Sequence, residues 1–242
     1  LPNMLSQCEG IITVSEFSKK DISEEFNFPK EKIFVTPLAA EDIYKPMNKF
    51  LCKNILKEKY NIEDRFILYV GGFSPRKNII GLIEAFSLIT PKNRKNTKLV
   101  ITGKKGVSYE KYKKRADELN LKDDVIFTDF IPVEDMPIFY NATELLVYPS
   151  FYEGFGLPPI EAMACGTPVV TSNVTSIPEF CSEAALLIDP YNIDELSKSI
   201  EDILNDSLLM LTLIKKGLSC SLNFSWRLTA EKTIAAYNSM LK

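Results

Sequence analysis

The 242-residue sequence contains no histidine. That absence removes Ser-His-Asp and Cys-His nucleophilic catalysis and the commonest metal ligand, so any general base has to be another residue type. The five cysteines, Cys8, Cys52, Cys165, Cys181 and Cys220, are odd in number, widely spaced and never arranged as C-x-x-C. They indicate neither a disulfide framework nor a zinc site, and a reducing cytosol fits them best. No apolar run approaches the ~20 residues that span a bilayer, and no signal-peptide pattern is visible. A strong charge of one sign is missing as well: a net charge of −3 and a pI near 5.3 give no general reason to expect nucleic acid as a partner. The basic runs KNRKNTK (92–98) and KYKKR (111–115) read as solvated faces.

What is present is ordinary for a globular chain, 45% hydrophobic and 25% charged, with length for one large core or two modest ones. From residue 66 onward short apolar runs alternate with helical patterns: FILYVG (66–71), KLVITG (98–103), DVIFTDF (124–130), ELLVYPS (144–150), PVVTSN (168–173) and AALLIDP (184–190). Strands separated by helices predict an α/β fold, a doubly wound parallel sheet covered on both faces, whose ligands bind beyond the carboxyl ends of the strands. After residue 190 the pattern turns helical, and Trp226, Ala230, Ile234 and Tyr237 fall near one face of the last helix, which reads as packing. Before residue 66, IITV (11–14), a helical SEFSKKDISEEF and IFVTPLAA (33–40) look like the end of another unit followed by a connector.

Two loops carry candidate chemistry. FYEGFGLPPIEAMACG (151–166) places Glu153 and Glu161 eight positions apart across Gly154, Gly156, Pro158 and Pro159. One continuous helix is excluded, because Pro159 has no N–H and the glycines disfavour helix. Prolines suit a first helical turn, so Pro158 and Pro159 open a helix that Gly166 stops; Glu161 is then expected in its first turn and Glu153 in the loop before it. YVGGFSPRKNIIGLIEAF (69–86) follows the same logic: a strand ends in Gly71-Gly72, a short loop carries Arg76 and Lys77, and a helix begins. It matches neither a P-loop nor a dinucleotide fingerprint, which argues against an ATPase or a nicotinamide dehydrogenase. Taken singly, each residue has a plain alternative: a helix-capping Glu161, an exposed loop acid at Glu153, solvated cations at Arg76 and Lys77. Taken together on one sheet edge, they make a cationic clamp for a diphosphate facing carboxylates that accept from sugar hydroxyls. Cys165 reads as a small buried apolar residue.

The E-x7-E pattern in EGFGLPPIE, with YVGGFSPRKN, the preceding PS, ACGTPVVTSN, SIPEF and FSWRLTAEKTIAAY, resembles family 4 of the retaining glycosyltransferases, which have the GT-B fold. The resemblance covers essentially the whole chain. It implies that residues 41–242 form the Rossmann-like C-terminal domain that binds a nucleotide-sugar donor, with a helical C-terminal extension. Residues 1–40 would be the end of the N-terminal domain and its crossover, most of that domain and its acceptor site being absent. It implies that Glu153 contacts donor-sugar hydroxyls, that Lys77, aided by Arg76, stabilises the leaving diphosphate, and that Glu161 holds the ribose. Backbone at Gly72, Phe73, Gly103, Gly154, Phe155, Gly156 and Leu157 would approach sugar and phosphate, and the loop at Phe130 and Ile131 would lie near the base. No metal or other cofactor is implied. The sugar suggested is mannose, and the acceptor a glycan or a lipid-linked glycan. Location is expected in the cytoplasm or at the inner face of the membrane, with membrane contact, where it exists, through the missing domain. Many family members have Arg where this chain has Gly72, and Pro-Asn-Gly where it has Pro37-Leu38-Ala39-Ala40. The alternatives are another GT-B enzyme such as a sugar-nucleotide epimerase or a phosphorylase, or a non-catalytic module. Nothing in the sequence resembles the lysine environment that holds pyridoxal.

Overall fold

Parallel strands buried on both faces are written as nearly continuous apolar runs, and the six runs from residue 66 onward all become strands of one sheet. In the computed structural model, which describes residues 5, 7–104, 106 and 108–241, they are β3 (Phe66–Val70), β4 (Lys98–Thr102), β5 (Val125–Phe127), β6 (Leu146–Tyr148), β7 (Val169–Ser172) and β8 (Leu186–Ile188). Their order in space is β5-β4-β3-β6-β7-β8, every pair parallel. A separate two-stranded parallel sheet pairs β1 (Ile11–Thr13) with β2 (Ile33–Val35), connected by α1 (Glu16–Phe26).

The chain runs outward from β3 through β4 to β5, then returns to place β6 on the other side of β3. The loops leaving β3 and β6 therefore diverge, and the crevice of an open α/β sheet forms at that switch point. Helices α2 (Lys49–Tyr60), α3 (Ile79–Leu88), α4 (Tyr109–Glu118), α5 (Met136–Ala142), α6 (Leu157–Ala164) and α8 (Ile193–Asn205) accompany the strands, with a short α7 (Pro178–Cys181) between β7 and β8. Tyr69, Leu68, Tyr148, Phe66, Phe86, Phe139 and Leu82 are among its fully buried side chains.

Local chemistry sets the ends. Asn27 and Asn61 close α1 and α2 in the left-handed conformation, where a short polar side chain is tolerated. Gly103 ends β4 at φ 156°, and a Cβ there would stand 2.2 Å from the Gly71 carbonyl oxygen, so two strand ends approach as only glycine permits.

Two expectations change. Arg94 in the first basic run is buried, donates to Asp124 and lies 4.5 Å over the Phe86 ring, and Arg115 in the second pairs with Glu84, so both runs supply structural ion pairs. The apolar face of the last helix is not packed within the chain: after α9 (Ser207–Ser221), α10 (Trp226–Met240) lies against β2, and Trp226, Ile234 and Tyr237 remain 44%, 59% and 56% exposed. The Thr229 hydroxyl donates to the Pro37 carbonyl at 2.6 Å and ties α10 to the connector after β2.

Candidate functional site

Pro75 fixes φ for a single 3-10 turn, Pro75–Lys77, after which Asn78 turns left-handed and caps α3 through its side chain. That turn aims Arg76 and Lys77 across the switch point at the loop after β6. The Lys77 Nζ donates to Glu153 Oε1 at 2.6 Å and to the Tyr148 hydroxyl at 2.5 Å, and Arg76 donates to Glu153 Oε2 at 2.8 Å and to the Tyr152 carbonyl at 2.9 Å. Tyr148, the last residue of β6, donates its own hydroxyl to Glu153 Oε1 at 2.9 Å. One carboxylate is thus held by two cations and a phenol. Glu153 and Lys77 are buried, whereas Arg76 reaches solvent.

Burial alone would raise the Glu153 carboxyl, but the hydrogen bond and charge of Lys77, then Arg76, outweigh it and hold the group below the ordinary glutamate range. Burial pulls Lys77 below an ordinary lysine against the attraction of Glu153. Burial, and then the Glu153 charge, push the Tyr148 phenol up, which keeps it a donor. The fully buried Ser150 hydroxyl, two residues beyond β6, stands beside Glu153 and Tyr148 and works against the rise of both.

Glu161 has a different environment. The helix begins at Leu157, one residue before the prolines, so Glu161 falls just past its first turn rather than within it. Its Oε2 accepts from the Tyr140 hydroxyl of α5 at 2.7 Å, and burial raises its pKa, with the Glu41 charge adding to the effect. The Cys165 thiol nearby is buried and pushed up to about 12 by burial and by Glu161, as an inert core thiol.

The other expected residues divide. Gly72 is exposed with open space where a Cβ would stand, and Gly103 meets Gly71 below it. Gly156, at φ 116°, caps α6, and a Cβ there would be 2.5 Å from Ile177 Cδ1. The Gly154 carbonyl accepts from Ser15 at 2.7 Å and Ser18 at 3.0 Å, so the start of α1 touches the acidic loop. Three of these residues turn their side chains into the protein. Phe73 joins Tyr109, Tyr112 and Phe127, Phe155 packs on Phe180 at 4.4 Å, and Ile131 is buried in the core. These three can offer a ligand backbone only. Phe130 is 65% exposed, and Leu157 is half-buried at the start of α6. Among the described residues no three His, Cys, Asp or Glu converge as metal ligands.

The sequence reading passed over Tyr148, Tyr140, Thr175, Ser176 and Glu179. Tyr148 left a signal, a polar-tipped residue at the carboxyl end of a buried strand next to the loop, and Ser176 and Glu179 lie in the SIPEF run.

Residues 53–219 match the family described as glycosyl transferases group 1. The chain belongs to that family. It is 37% identical over 237 residues to the O-antigen chain mannosyltransferase B of Escherichia coli, covering 98% of this chain and 62% of that protein. The serotype-specific mannosyltransferase WbdA of Escherichia coli is 30% identical over 240 residues, 98% of this chain and 29% of that protein. In three dimensions the group 1 chain superposes on sucrose-phosphate synthase from Thermosynechococcus elongatus with a TM-score of 0.84 at 26% identity, covering 99% of this chain and 60% of that one. The fold is therefore that of the GT-B glycosyltransferases, and the group 1 chain spans under two thirds of the length of these relatives.

Proposed function

We propose that this group 1 chain is the donor-binding part of a retaining glycosyltransferase that moves a sugar, mannose in the leading case, from a nucleoside-diphosphate sugar to a glycan or lipid-linked acceptor. The observation that carries the reading is Glu153 held between Lys77, Arg76 and Tyr148 at the switch point of the sheet. A carboxylate for sugar hydroxyls beside two cations for a diphosphate is the donor set that a nucleotide sugar requires. Mannose is supported by the named activity of two relatives.

In this reading the three groups satisfy one another at rest and re-partner when the donor arrives. Lys77 and Arg76 turn to the diphosphate, and Glu153 accepts from sugar hydroxyls. As the bond from the anomeric carbon to the diphosphate oxygen breaks, negative charge grows on the leaving group, where Lys77 stabilises it. The acceptor oxygen bonds the anomeric carbon on the same face, and its proton passes to the leaving diphosphate. No metal is invoked, because the two cations supply the positive charge. Glu161 holds the ribose, and the acceptor is assigned to the additional length that the relatives possess. A membrane contact and a cytoplasmic site of action belong to the same proposal; among the described residues no helix is long and apolar enough to cross a membrane.

Calorimetric titration with GDP, UDP, ADP and the matching nucleotide sugars tests the reading, repeated on Lys77→Ala and Glu161→Ala. Selective binding of one nucleotide, weakened by both substitutions, is expected. Binding unaffected by either substitution would overturn the assignment of the crevice. Glu153→Gln separates a transferase from a binding module, since a transferase loses turnover far more than nucleotide affinity.

A further inference from the structure

Seven non-glycine residues among those described have a positive φ: Asn27, Asn61, Asn78, Lys95, Asn96, Asn120 and Thr175. Five are asparagine, whose side chain tolerates this region, and Lys95 sits in a tight turn directly before Asn96. Thr175 is the exception. A branched Cβ makes its φ of 59° unfavourable, although glycine or asparagine would adopt it freely. Such strain persists only where the surroundings over-determine it, and it collects at functional sites.

The surroundings here are the loop that carries Glu153. Thr175 Oγ1 accepts from the Glu153 N–H at 3.2 Å. The next residue, Ser176, is fully buried, and its hydroxyl lies 2.9 Å from the Glu153 carbonyl and 2.8 Å from the Phe155 carbonyl, sharing one proton between them. Both peptide groups that flank the Glu153 Cα are therefore gripped by two consecutive residues. In an extended segment consecutive side chains point to opposite faces. A left-handed residue breaks that alternation, and here Thr175 and Ser176 reach the same loop.

We propose that Thr175 is a positioning residue for Glu153. It keeps an unfavourable backbone because its hydroxyl fixes the Glu153 amide, and with it the direction from which the carboxylate meets the donor sugar. The inference rests on the donor-sugar role proposed above.

Thr175→Gly relieves the strain and deletes the hydroxyl, while Thr175→Ser keeps the hydroxyl. Four quantities are measured on the whole chain: thermal midpoint, amide exchange at Glu153, and affinity for a nucleoside diphosphate and for its nucleotide sugar. For Thr175→Gly we expect an unchanged or higher midpoint, faster exchange at Glu153, and unchanged nucleoside diphosphate affinity. Nucleotide-sugar affinity should fall about 10-fold, the loss of one hydrogen bond, and Thr175→Ser should restore it. Unchanged affinity and exchange would overturn the proposal. So would an equal loss for both ligands with a lowered midpoint that serine does not rescue, since that describes a structural role. If the unmodified chain binds no nucleotide sugar, the donor reading fails by itself. The exchange rate then decides on Thr175: faster exchange in the glycine variant supports the grip, and an unchanged rate sinks it.

Discussion

Gly72 and Gly103 stand at the ends of neighbouring strands, and the sequence gives no way to rank them. The backbone does. Gly103 has φ 156° and no room, with the Gly71 carbonyl oxygen 2.2 Å from a Cβ; Gly72 has ordinary φ and nothing within 4 Å. Gly103→Ala should therefore destabilise by roughly 3 kcal/mol or more, through strain and the displaced strand end. Gly72→Ala should be neutral or stabilising by about 0.4–1 kcal/mol, because it removes unfolded-chain freedom without strain. Urea denaturation of both variants measures the difference, and equal effects would contradict the strand-end geometry. Side-chain direction at Phe73, Phe155 and Ile131 is subject to the same limit. Their positions in the loops were legible, but whether a ring turns to the ligand or to the core depends on neighbours such as Tyr112 and Phe180, which lie far off in sequence.

At the scale of elements, each strand from residue 66 onward was legible, because a buried parallel strand has to be a short apolar run between turn residues. The Glu161 helix was legible to within one residue: it starts at Leu157 rather than Pro158, with Gly156 as its cap and the prolines in its first turn. Pairings between elements were not legible. Ser15 caps α1 within its own sequence, but the Glu179 carboxylate accepts from the Glu16 N–H at 2.9 Å and the Phe17 N–H at 2.6 Å from the other end of the chain. With Ser15 and Ser18 on the Gly154 carbonyl, these bonds join the free amides of one helix to the acidic loop and α7. Glu179→Ala should cost about 1–2 kcal/mol, the scale of a lost cap bonded through a charged group. The loss should appear first as faster amide exchange at Glu16 and Phe17, with the six-stranded sheet unaffected. Uniform exchange changes across both sheets would mean that α1 is not a separable unit.

For the molecule as a whole, the two carboxylates of the E-x7-E pattern make opposite demands on stability as pH changes. Glu153 is depressed in the folded state by Lys77 and Arg76 despite burial, so its contribution is fully present above the unfolded glutamate pKa of about 4.3 and is lost as pH falls through the folded value. Glu161 is raised by burial, so its relative contribution is present below about 4.3 and lost as pH rises through the folded value. Glutamine at either position removes the titration while keeping the shape. At pH 7 Glu153→Gln should destabilise by about 3 kcal/mol, because it leaves the buried Lys77 without its anion. At the same pH Glu161→Gln should stabilise, because a buried carboxylate no longer has to ionise, at the expense of the ribose contact proposed for it. The Glu161 difference should shrink toward zero below about pH 4.3, where that carboxyl is protonated in both states, whereas the Glu153 difference shrinks only as pH falls through its depressed folded value. Urea midpoints of the three proteins at pH 7 and pH 3.5 decide the matter. Shifts of the same sign at pH 7 would mean that partners such as Tyr140 and Tyr44 hold Glu161 as an ion more strongly than burial opposes it.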